Sequence, residues 1–551
     1  MIDAIKADGN YLRVQDNVLD QIKCRGRSID FQPDTKDDDV IYGKWKNFNQ
    51  EGTFKMLTDF AQVRCFSKGV SNIEVISKTF ANIIENPKFK IKNNDNTSVI
   101  MIGIDTMSRS NFIRALPQTY KYMIDNGFVD FKKHVKVADD SYGNWIAILT
   151  GLRGSYSTEF PVILDEAWGQ WYDEFPLIWK NFSQAGYATL FAEDRAEIAN
   201  FNYLGKCFGF KKKPVDHYFR PFWIDVERSA SFKESKFGCY QGTPNTKIQL
   251  DYLTKFLKTY KNQSKFVWNW STEMLHEHLN DISMVDDLYL NVLKDNADLL
   301  KESVVIMFSD HGTRYGELRE TVIGRYETRL PFLAIKLPAT YDENAKRNLV
   351  INSNKMTTQF DLHQTLKSFL NQGVSIDPLD KQSYSLINPH PDNRTCFGSN
   401  IPTTYCPCQI ETPLEIESAS KEATELIKLL NEMLRNFTNF TEAPPKYSCS
   451  PFELEKIRFA SISIPPKSLI FDHHLKRKII SNNATASYRL LLKMKQPSGA
   501  LIEAVLDKDF KTNTYTINGL IERLNKYGNT SHCINDAEMR KLCYCVVVDA
   551  K

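Results

Sequence analysis

The sequence holds little that would suit it to a membrane or a polyanion. Its apolar runs fall well short of the roughly 18 residues that span a bilayer. Seventy Lys and Arg stand against 67 Asp and Glu, a formal charge of only +3, so there is no electrostatic footprint for a nucleic-acid backbone or an anionic lipid surface. The opening Met1-Ile2-Asp3-Ala4-Ile5-Lys6-Ala7-Asp8-Gly9 lacks the apolar stretch of a secretory signal. Repeats and low-complexity tracts are lacking too, and with 24 Gly, 22 Pro and 42% hydrophobic residues the chain is neither fibrous nor disordered. Taken literally, these absences describe a cytosolic protein. Its 551 residues allow three or four ordinary domains, or one large α/β core with appendages.

Two features argue against the cytosol. Of the 11 cysteines, seven (Cys396, Cys406, Cys408, Cys449, Cys533, Cys543 and Cys545) follow residue 395, the pattern of a disulfide-stapled module. The pairs Cys24/Cys65 and Cys207/Cys239 are each placed to close a loop. Zinc is the weaker reading, because Cys406-Pro407-Cys408 and Cys543-Tyr544-Cys545 leave one residue between thiols where zinc knuckles use about two to four. An odd count leaves one thiol free or paired outside the chain. The glycosylation acceptor N-x-[ST] recurs at Asn96, Asn181, Asn262, Asn269, Asn393, Asn436, Asn439, Asn483 and Asn529. Cysteines and acceptors together predict an extracellular ectodomain with N-linked glycans, secreted or tethered to a membrane, whose signal or anchor has been removed.

Residues 1–95 read as an accessory N-terminal segment, with the acidic stretch Asp34 to Asp39 and strand-like Ile73-Glu74-Val75-Ile76. From Ser98 the pattern becomes strand then helix. Val99-Ile100-Met101-Ile102-Gly103-Ile104 is a continuous apolar run, as in a parallel strand buried on both faces. Helices are expected at 111–126, 143–149, 175–185, 248–260 and 281–300, and strands at 128–137, 187–192, 265–270 and 303–308. The rhythm defines a core at 96–395 and stops after Pro391. In the remaining 396–551, a helix at 421–434 with the stripe Ile427, Leu429, Leu430, Met433 and Leu434 precedes a hairpin turning at Pro497-Ser498-Gly499. The fold class expected is α/β, a mostly parallel sheet with helices on both faces, plus a smaller cysteine-rich α+β C-terminal region.

In an open α/β sheet ligands collect at the carboxyl ends of the strands. Three polar clusters stand there: Asp105-Thr106-Met107-Ser108-Arg109, Asp139-Asp140-Ser141-Tyr142-Gly143-Asn144, and Ser309-Asp310-His311-Gly312. Each alone has a bland explanation, since an Asp at a strand end caps a helix, Ser141 is an ordinary N-cap, and Asp-His-Gly is a turn. Their joint placement changes the balance. Two aspartates and an imidazole suit a divalent metal. A serine at a helix N-terminus lies where backbone N–H groups favour an alkoxide or anion.

The set Ile102-Gly103-Ile104-Asp105, Ser141-Tyr142-Gly143-Asn144-Trp145 through Gly151, and Phe308-Ser309-Asp310-His311-Gly312 resembles the alkaline phosphatase/sulfatase superfamily, and within it an animal ectodomain family known only as a domain of unknown function. That family's further signatures are matched by Phe191-Ala192-Glu193-Asp194, by Asp216-His217-Tyr218-Phe219-Arg220-Pro221-Phe222-Trp223, by Arg314-Tyr315-Gly316-Glu317-Leu318-Arg319, and by the cysteines from Cys533 to Cys545. The resemblance implies an alkaline-phosphatase-like core and metal-assisted cleavage of a phosphate or sulfate ester. Asp105, Asp310 and His311 would hold one divalent cation, zinc in the phosphatase-like branch, with Ser141 as further ligand and nucleophile. Asn144 would donate to an equatorial oxygen. Formylglycine sulfatases need a Cys-x-Pro-Ser-Arg motif, and none is present.

A second metal is doubtful. The pyrophosphatase branch supplies an Asp and a His four residues later; here Thr272 stands at the Asp position, with His276 in place, Glu273 as a substitute ligand and His278 nearby. Of the two candidates for a third imidazole, His363 lies in an apolar helical pattern and reads as core, leaving His390; Phe471-Asp472-His473-His474 reads as a solvated turn. Arg109, Arg314 and Arg319 are candidate anion clamps or surface ion-pair partners. The function expected is an extracellular metal-dependent hydrolase or transferase acting through serine on a phosphate ester of a small molecule, lipid headgroup or glycan. A one-metal site suits a diester or headgroup transfer better than a monoester. The rival is a binding or structural ectodomain that has lost catalysis, and a serine-based sulfatase comes third.

Overall fold

The run at 98–104 is a strand with no solvent on either face: all seven residues of β1 (Ser98–Ile104) are buried. The computed structural model describes residues 4–69, 73–89, 96–155, 157, 159–167, 169–235, 238–274, 280–370, 383–408, 411–435, 447–464, 469–472, 477–480, 484–534 and 536–547. β1 is central in a seven-stranded sheet with β2 (Val129–Asp130), β3 (Ala188–Glu193), β4 (His217–Tyr218), β5 (Lys265–Ser271), β6 (Ser303–Phe308) and β7 (Leu333–Lys336), in the order β2-β7-β6-β1-β5-β3-β4. The run from β6 to β4 is parallel throughout, and β7 is antiparallel to both its neighbours. The fold is therefore the α/β class expected.

Period-two alternation fills both faces. Ile100, Ile102 and Ile104 of β1, with Val305 and Met307 of β6, pack against Phe112, Met123, Leu253 and Phe256 from helices on one side. Val99, Met101, Val304, Ile306 and Phe308 face the other side. There they meet α1 (Ser141–Thr150) through Ile146 and Leu149, and α2 (Gln359–Leu370) through Leu362 and Leu366. Ten successive residues of α1 are apolar or small enough for nine of them to be buried, so the helix is locked at the sheet face.

The N-terminal strands Ile22–Phe31 and Phe60–Ser67 pair in register and are bridged by Cys24–Cys65. Ile29, Val40, Phe60 and Ile83 join the same apolar cluster as the first sheet face. The C-terminal residues form an antiparallel five-stranded sheet containing Leu454–Ser463, Thr485–Met494, Leu501–Asp509 and Thr514–Arg523, covered by the helix Ser420–Arg435. Thr485–Met494 and Leu501–Asp509 are the hairpin expected around Pro497. Disulfides Cys396–Cys406, Cys449–Cys543 and Cys533–Cys545 tie the region down. Charge forms its joint with the core: Arg319 reaches Glu503 at 2.9 Å and Glu522 at 2.5 Å, Arg325 reaches Glu411 at 3.3 Å and Arg329 reaches Glu503 at 3.5 Å.

Several expectations need correction. Pro117, which lacks an N–H, splits the expected helix at 111–126 into Arg109–Ala115 and Pro117–Asp125. The strand at 128–137 is two separate pairings of two residues, Val129–Asp130 with β7 and His134–Val135 with Thr357–Thr358. The buried face of Ser420–Arg435 is Ala423, Leu426, Leu430 and Leu434, and Ile427, Leu429 and Met433 flank it half-buried. Cys207 and Cys239 are unbonded, as is Cys408. Asn269 lies within β5 at 0% exposure, which closes that acceptor to a glycan, whereas Asn181, Asn262 and Asn393 are exposed. Among the described residues no helix is long and apolar enough to cross a membrane.

Candidate metal centre and nucleophile

Three elements converge at the carboxyl ends of β1 and β6. Asp105 follows β1, and its N–H donates to the Ser271 carbonyl at the end of β5 at 2.9 Å. The next residue, Thr106, takes φ 55°, a left-handed conformation that costs a non-glycine residue energy and persists only when its surroundings enforce it. Here the Thr106 N–H donates to Asp310 Oδ1 at 3.1 Å and the Met107 N–H to Ser309 Oγ at 2.9 Å, so the turns after β1 and β6 are laced together. Ser141 is the first residue of α1, behind an Asp140 cap that accepts from the Gly143 N–H at 3.1 Å. Glycine is required at Gly143 and Gly312, where a Cβ would collide with the Ala138 and Ser155 side chains and with the Glu327 carbonyl respectively.

Ser141 Oγ donates to Asp105 Oδ1 at 3.2 Å and lies 3.3 Å from His311 Nε2. Asp105, Asp310 and His311 offer ligand atoms that all lie within 4.8 Å of one another, and all three residues are buried. His311 Nδ1 is 2.9 Å from the Gly312 carbonyl, an acceptor only, so Nδ1 carries the hydrogen and Nε2 presents a lone pair. That lone pair faces Asp310 Oδ2 at 3.2 Å, and this buried oxygen has no hydrogen-bond partner. Burial and then the facing Asp310 carboxylate push the Asp105 carboxyl well above its ordinary range. Burial also lowers the His311 imidazole. Two carboxyl groups that repel each other and an imidazole lone pair, gathered within 4.8 Å, fit a divalent cation, which would take the place of the proton that Asp105 otherwise retains.

The site's flank is one that sequence reasoning missed. Lys136 has a fully buried side chain 3.2 Å from Asp139 Oδ1, and Arg314 Nη1 is 3.4 Å from Asp139 Oδ2. Burial alone would raise the Asp139 carboxyl, but Lys136, Arg314 and Lys541 hold it well below the usual carboxylate range. The available signal was Lys136 itself, a charge inside the apolar run His134-Val135-Lys136-Val137. His134, also buried, sits 3.0 Å from Gln359 Oε1, while Gln359 Nε2 donates to the Asp310 carbonyl at 2.9 Å, a brace for the Asp310 loop.

Other expected site residues are engaged elsewhere. Asn144 is buried: its Oδ1 accepts from the Val137 and Ala138 N–H groups at 2.9 and 3.3 Å, and its Nδ2 donates to the Ala138 and Asp140 carbonyls at 3.0 and 2.8 Å. It holds the loop before Ser141 and has no N–H left for a substrate oxygen. Arg109 pairs with Asp130 through Nε at 3.0 Å and Nη2 at 2.6 Å, so it is no anion clamp. Arg319 is consumed by the joint with the C-terminal sheet. Arg314 alone of the three reaches the loop before Ser141, through Asp139.

At the ends of β3 and β5 the second-metal reading fares differently. The Thr272 N–H donates to Asp194 Oδ1 at 2.8 Å, and Glu273 Oε2 pairs with Arg195 Nη1 at 2.5 Å while its Oε1 accepts from the Gly238 N–H at 3.1 Å. Glu273 is thus not a free ligand. His276 and His278 lie outside the described residues, as do His473 and His474. His363 is core as expected, with Nδ1 2.8 Å from the Ile148 carbonyl and its imidazole lowered to about 4 by burial. His390, 5% exposed, is held by the Ser385 carbonyl and Arg394.

A protein-family profile described as "Protein of unknown function (DUF229)" matches residues 4–458. No curated protein matches the chain. Solved structures that resemble it include the C-terminal periplasmic domain of EcEptC from Escherichia coli, with a TM-score of 0.39 and 13% identity over 55% of this chain and 89% of that one. The C-terminal periplasmic domain of the phosphoethanolamine transferase EptC from Campylobacter jejuni gives 0.34 and 10% over 53% and 94%. A protein in the alkaline phosphatase superfamily from Vibrio parahaemolyticus gives 0.34 and 10% over 82% and 86%. These likenesses are slight, and the chemistry below rests on the chain's own residues.

Proposed function

Because the chain belongs to the DUF229 family, whose description assigns no activity, we propose its reaction from its own site: transfer or hydrolysis of a phosphate ester through Ser141, assisted by a divalent cation, zinc by donor type. The observation that carries this reading is Ser141 Oγ, at the N-terminus of a ten-residue helix, 3.2 Å from Asp105 and 3.3 Å from the His311 lone-pair nitrogen. A cation held by Asp105, Asp310 and His311 supplies Lewis-acid polarisation and lowers the serine hydroxyl pKa. The chain's residues do the rest. Asp140 and Asn144 fix the loop that aims Ser141, the positive end of the α1 dipole favours the developing oxyanion, and Arg314 pairs with a substrate oxygen. Ser141 Oγ bonds to phosphorus as the ester P–O bond breaks, and water or an acceptor alcohol then displaces the serine.

Asp105, Asp310 and His311 would hold one cation beside Ser141, and a one-cation centre favours a diester or headgroup over a monoester. The four disulfides support an oxidising, extracellular setting, with N-linked glycans at exposed acceptors such as Asn181 and Asn393. A binding protein that has lost catalysis is the second reading, favoured by the engagement of Asn144 and Arg109 elsewhere. Turnover of bis(p-nitrophenyl) phosphate, p-nitrophenyl phosphate and p-nitrophenyl sulfate by the zinc-loaded chain separates the readings. The diester is expected to be the best substrate, with Ser141→Ala at least about 10³-fold slower. Equal rates in wild type and variant would remove the enzyme reading, and turnover of the sulfate alone would favour a serine sulfatase.

A further inference from the structure

The N-terminal strands gather three guanidiniums around one aromatic ring. Ile22–Phe31 and Phe60–Ser67 pair with Arg25 directly opposite Arg64, and period-two alternation puts Arg27 on the same face as Arg25. The other face, with Cys24, Val63 and Cys65, packs into an apolar cluster with Phe54. Arg25, Arg27 and Arg64 lie 4.9, 4.7 and 5.5 Å from the centre of the Trp45 ring, and Arg27 also lies 3.8 Å from that of Tyr42. All three arginines are half-buried, so each keeps part of its side chain in solvent. A guanidinium stacked on a ring gives up its face and keeps its edge N–H groups, which match a tetrahedral oxyanion.

Like charges directly opposite each other across two strands repel, and little here offsets them. Among the described residues the Arg25 guanidinium has neither an ion pair nor a hydrogen bond; its Nε is buried without a partner, as is that of Arg64. Glu74 reaches Arg64 only at 3.7 Å, and Arg27 spends its Nε on Gln62 Oε1 at 2.8 Å. Asp225 acts on Arg27 from a distance while it accepts from the Tyr42 hydroxyl at 2.7 Å, from Gln62 Nε2 at 3.4 Å and from the Thr79 hydroxyl. Asp39 is taken by Arg228 at 3.0 Å. Three cations thus meet two carboxylates, of which Glu74 is 39% exposed and Asp225 already serves three donors. Burial lowers the Arg27 guanidinium below its ordinary value, Tyr42 and Asp225 offset part of this, and Arg64 and Arg25 add to it.

We propose that Arg25, Arg27 and Arg64 form a binding patch for a sulfated glycan chain, whose sulfate groups accept from the edge N–H groups that stacking on Trp45 leaves free. A strand rises about 3.4 Å per residue, so Arg25 and Arg27 stand roughly 7 Å apart along it. One compact anion cannot serve both. A chain with sulfates on successive sugars meets the Arg25 and Arg64 pair with one group and Arg27 with the next. With a formal charge of only +3 over the whole chain, capture is confined to this local surplus. The patch needs neither the cation nor turnover at Ser141, and stands apart from that reading.

Isothermal titration of the full chain with a heparin-derived hexasaccharide, against uncharged chitohexaose, tests the patch at physiological ionic strength. Wild type is expected to bind the first and not the second. Arg25→Gln with Arg64→Gln should weaken binding at least about tenfold, as loss of charge-assisted contacts does. Lys421→Gln with Lys428→Gln, which removes the same charge from exposed positions on the helix Ser420–Arg435, should leave it unchanged. A second readout needs no variant to fold: in wild type the hexasaccharide should protect Arg25, Arg27 and Arg64 from hydroxyphenylglyoxal, mapped by peptide mass spectrometry, and leave exposed Arg347 reactive. No binding by wild type, equal weakening by the lysine pair, or unprotected arginines would overturn the proposal. Equal arginine-dependent affinity for phosphatidylserine vesicles would assign the patch to a lipid surface and overturn it too.

Discussion

Two places at the same sheet edge carry acidic residues and end in opposite states. At β1 and β6, Asp105 and Asp310 face each other with His311 and no basic group is inserted between them; Asp310 Oδ2 is left without a partner. At β3 and β5, Glu273 meets Arg195 at 2.5 Å, and Arg195 continues to Glu227 at 2.9 Å. The first arrangement keeps its acidic groups available to a cation supplied from outside, whereas the second supplies its own. Strand-end acids in an α/β sheet thus become a metal site or a structural ion pair according to whether an arginine reaches them.

The largest break in this contrast is at the first place. Asp310→Asn removes one of two facing carboxylates, and zinc affinity measured by competition with a fluorescent chelator is expected to fall by at least about 100-fold while the fold persists. An unchanged affinity would put the cation elsewhere. At the second place Arg195→Ala leaves Glu273, whose side chain is 1% exposed, without its cation. Denaturant titration is expected to show about 3 kcal/mol lost with zinc content unaltered, and a loss below about 0.5 kcal/mol would mean that the pair is structurally idle.

The smallest effect is a pH dependence belonging to the second place and its neighbours. Burial raises Asp194 to about 7, Glu193 to about 8 and Asp37 to about 7, against about 4 in an unfolded chain. The native state then holds protons that the unfolded state has lost, so these groups subtract stability as pH rises through their native values. His134 and His363, lowered to about 4 by burial, work the other way, but only below their unfolded value of about 6.5. Between pH 6.5 and 8 the three carboxyls outweigh Lys265, which burial lowers to about 8 and which acts in the opposite direction, so the melting temperature should fall across that window, less steeply in Asp194→Asn. A flat or rising profile would contradict the burial of these acids.

The parts of the fold legible in the sequence are those where one strand's own residues decide the outcome. β1 and β6 are apolar on both faces, so their ends, and with them Asp105, Asp310 and His311, were placed by pattern alone. Elements made by pairing with distant chain were not: β7 escaped notice, and the strand at 128–137 was overextended because only four of its residues find ladder partners. At the site the same limit applies. Nothing in the spacing of Ser141 and Asn144 reveals that the Asn144 amide is taken by the Val137 and Ala138 N–H groups, nor that Arg109 meets Asp130 across 21 residues of sequence. Lys136 could have been flagged as a charge in an apolar run, but its partner Glu522 lies in another sheet.

The central claim is that Ser141 itself carries the phosphoryl group, and acid-quenched mass spectrometry of the zinc-loaded chain during turnover of bis(p-nitrophenyl) phosphate tests it most directly. The account predicts a phosphoryl ester on the peptide containing Ser141, present with substrate and zinc and gone in Ser141→Ala. Turnover at full rate with that peptide unmodified, or with the ester on another residue, would contradict it.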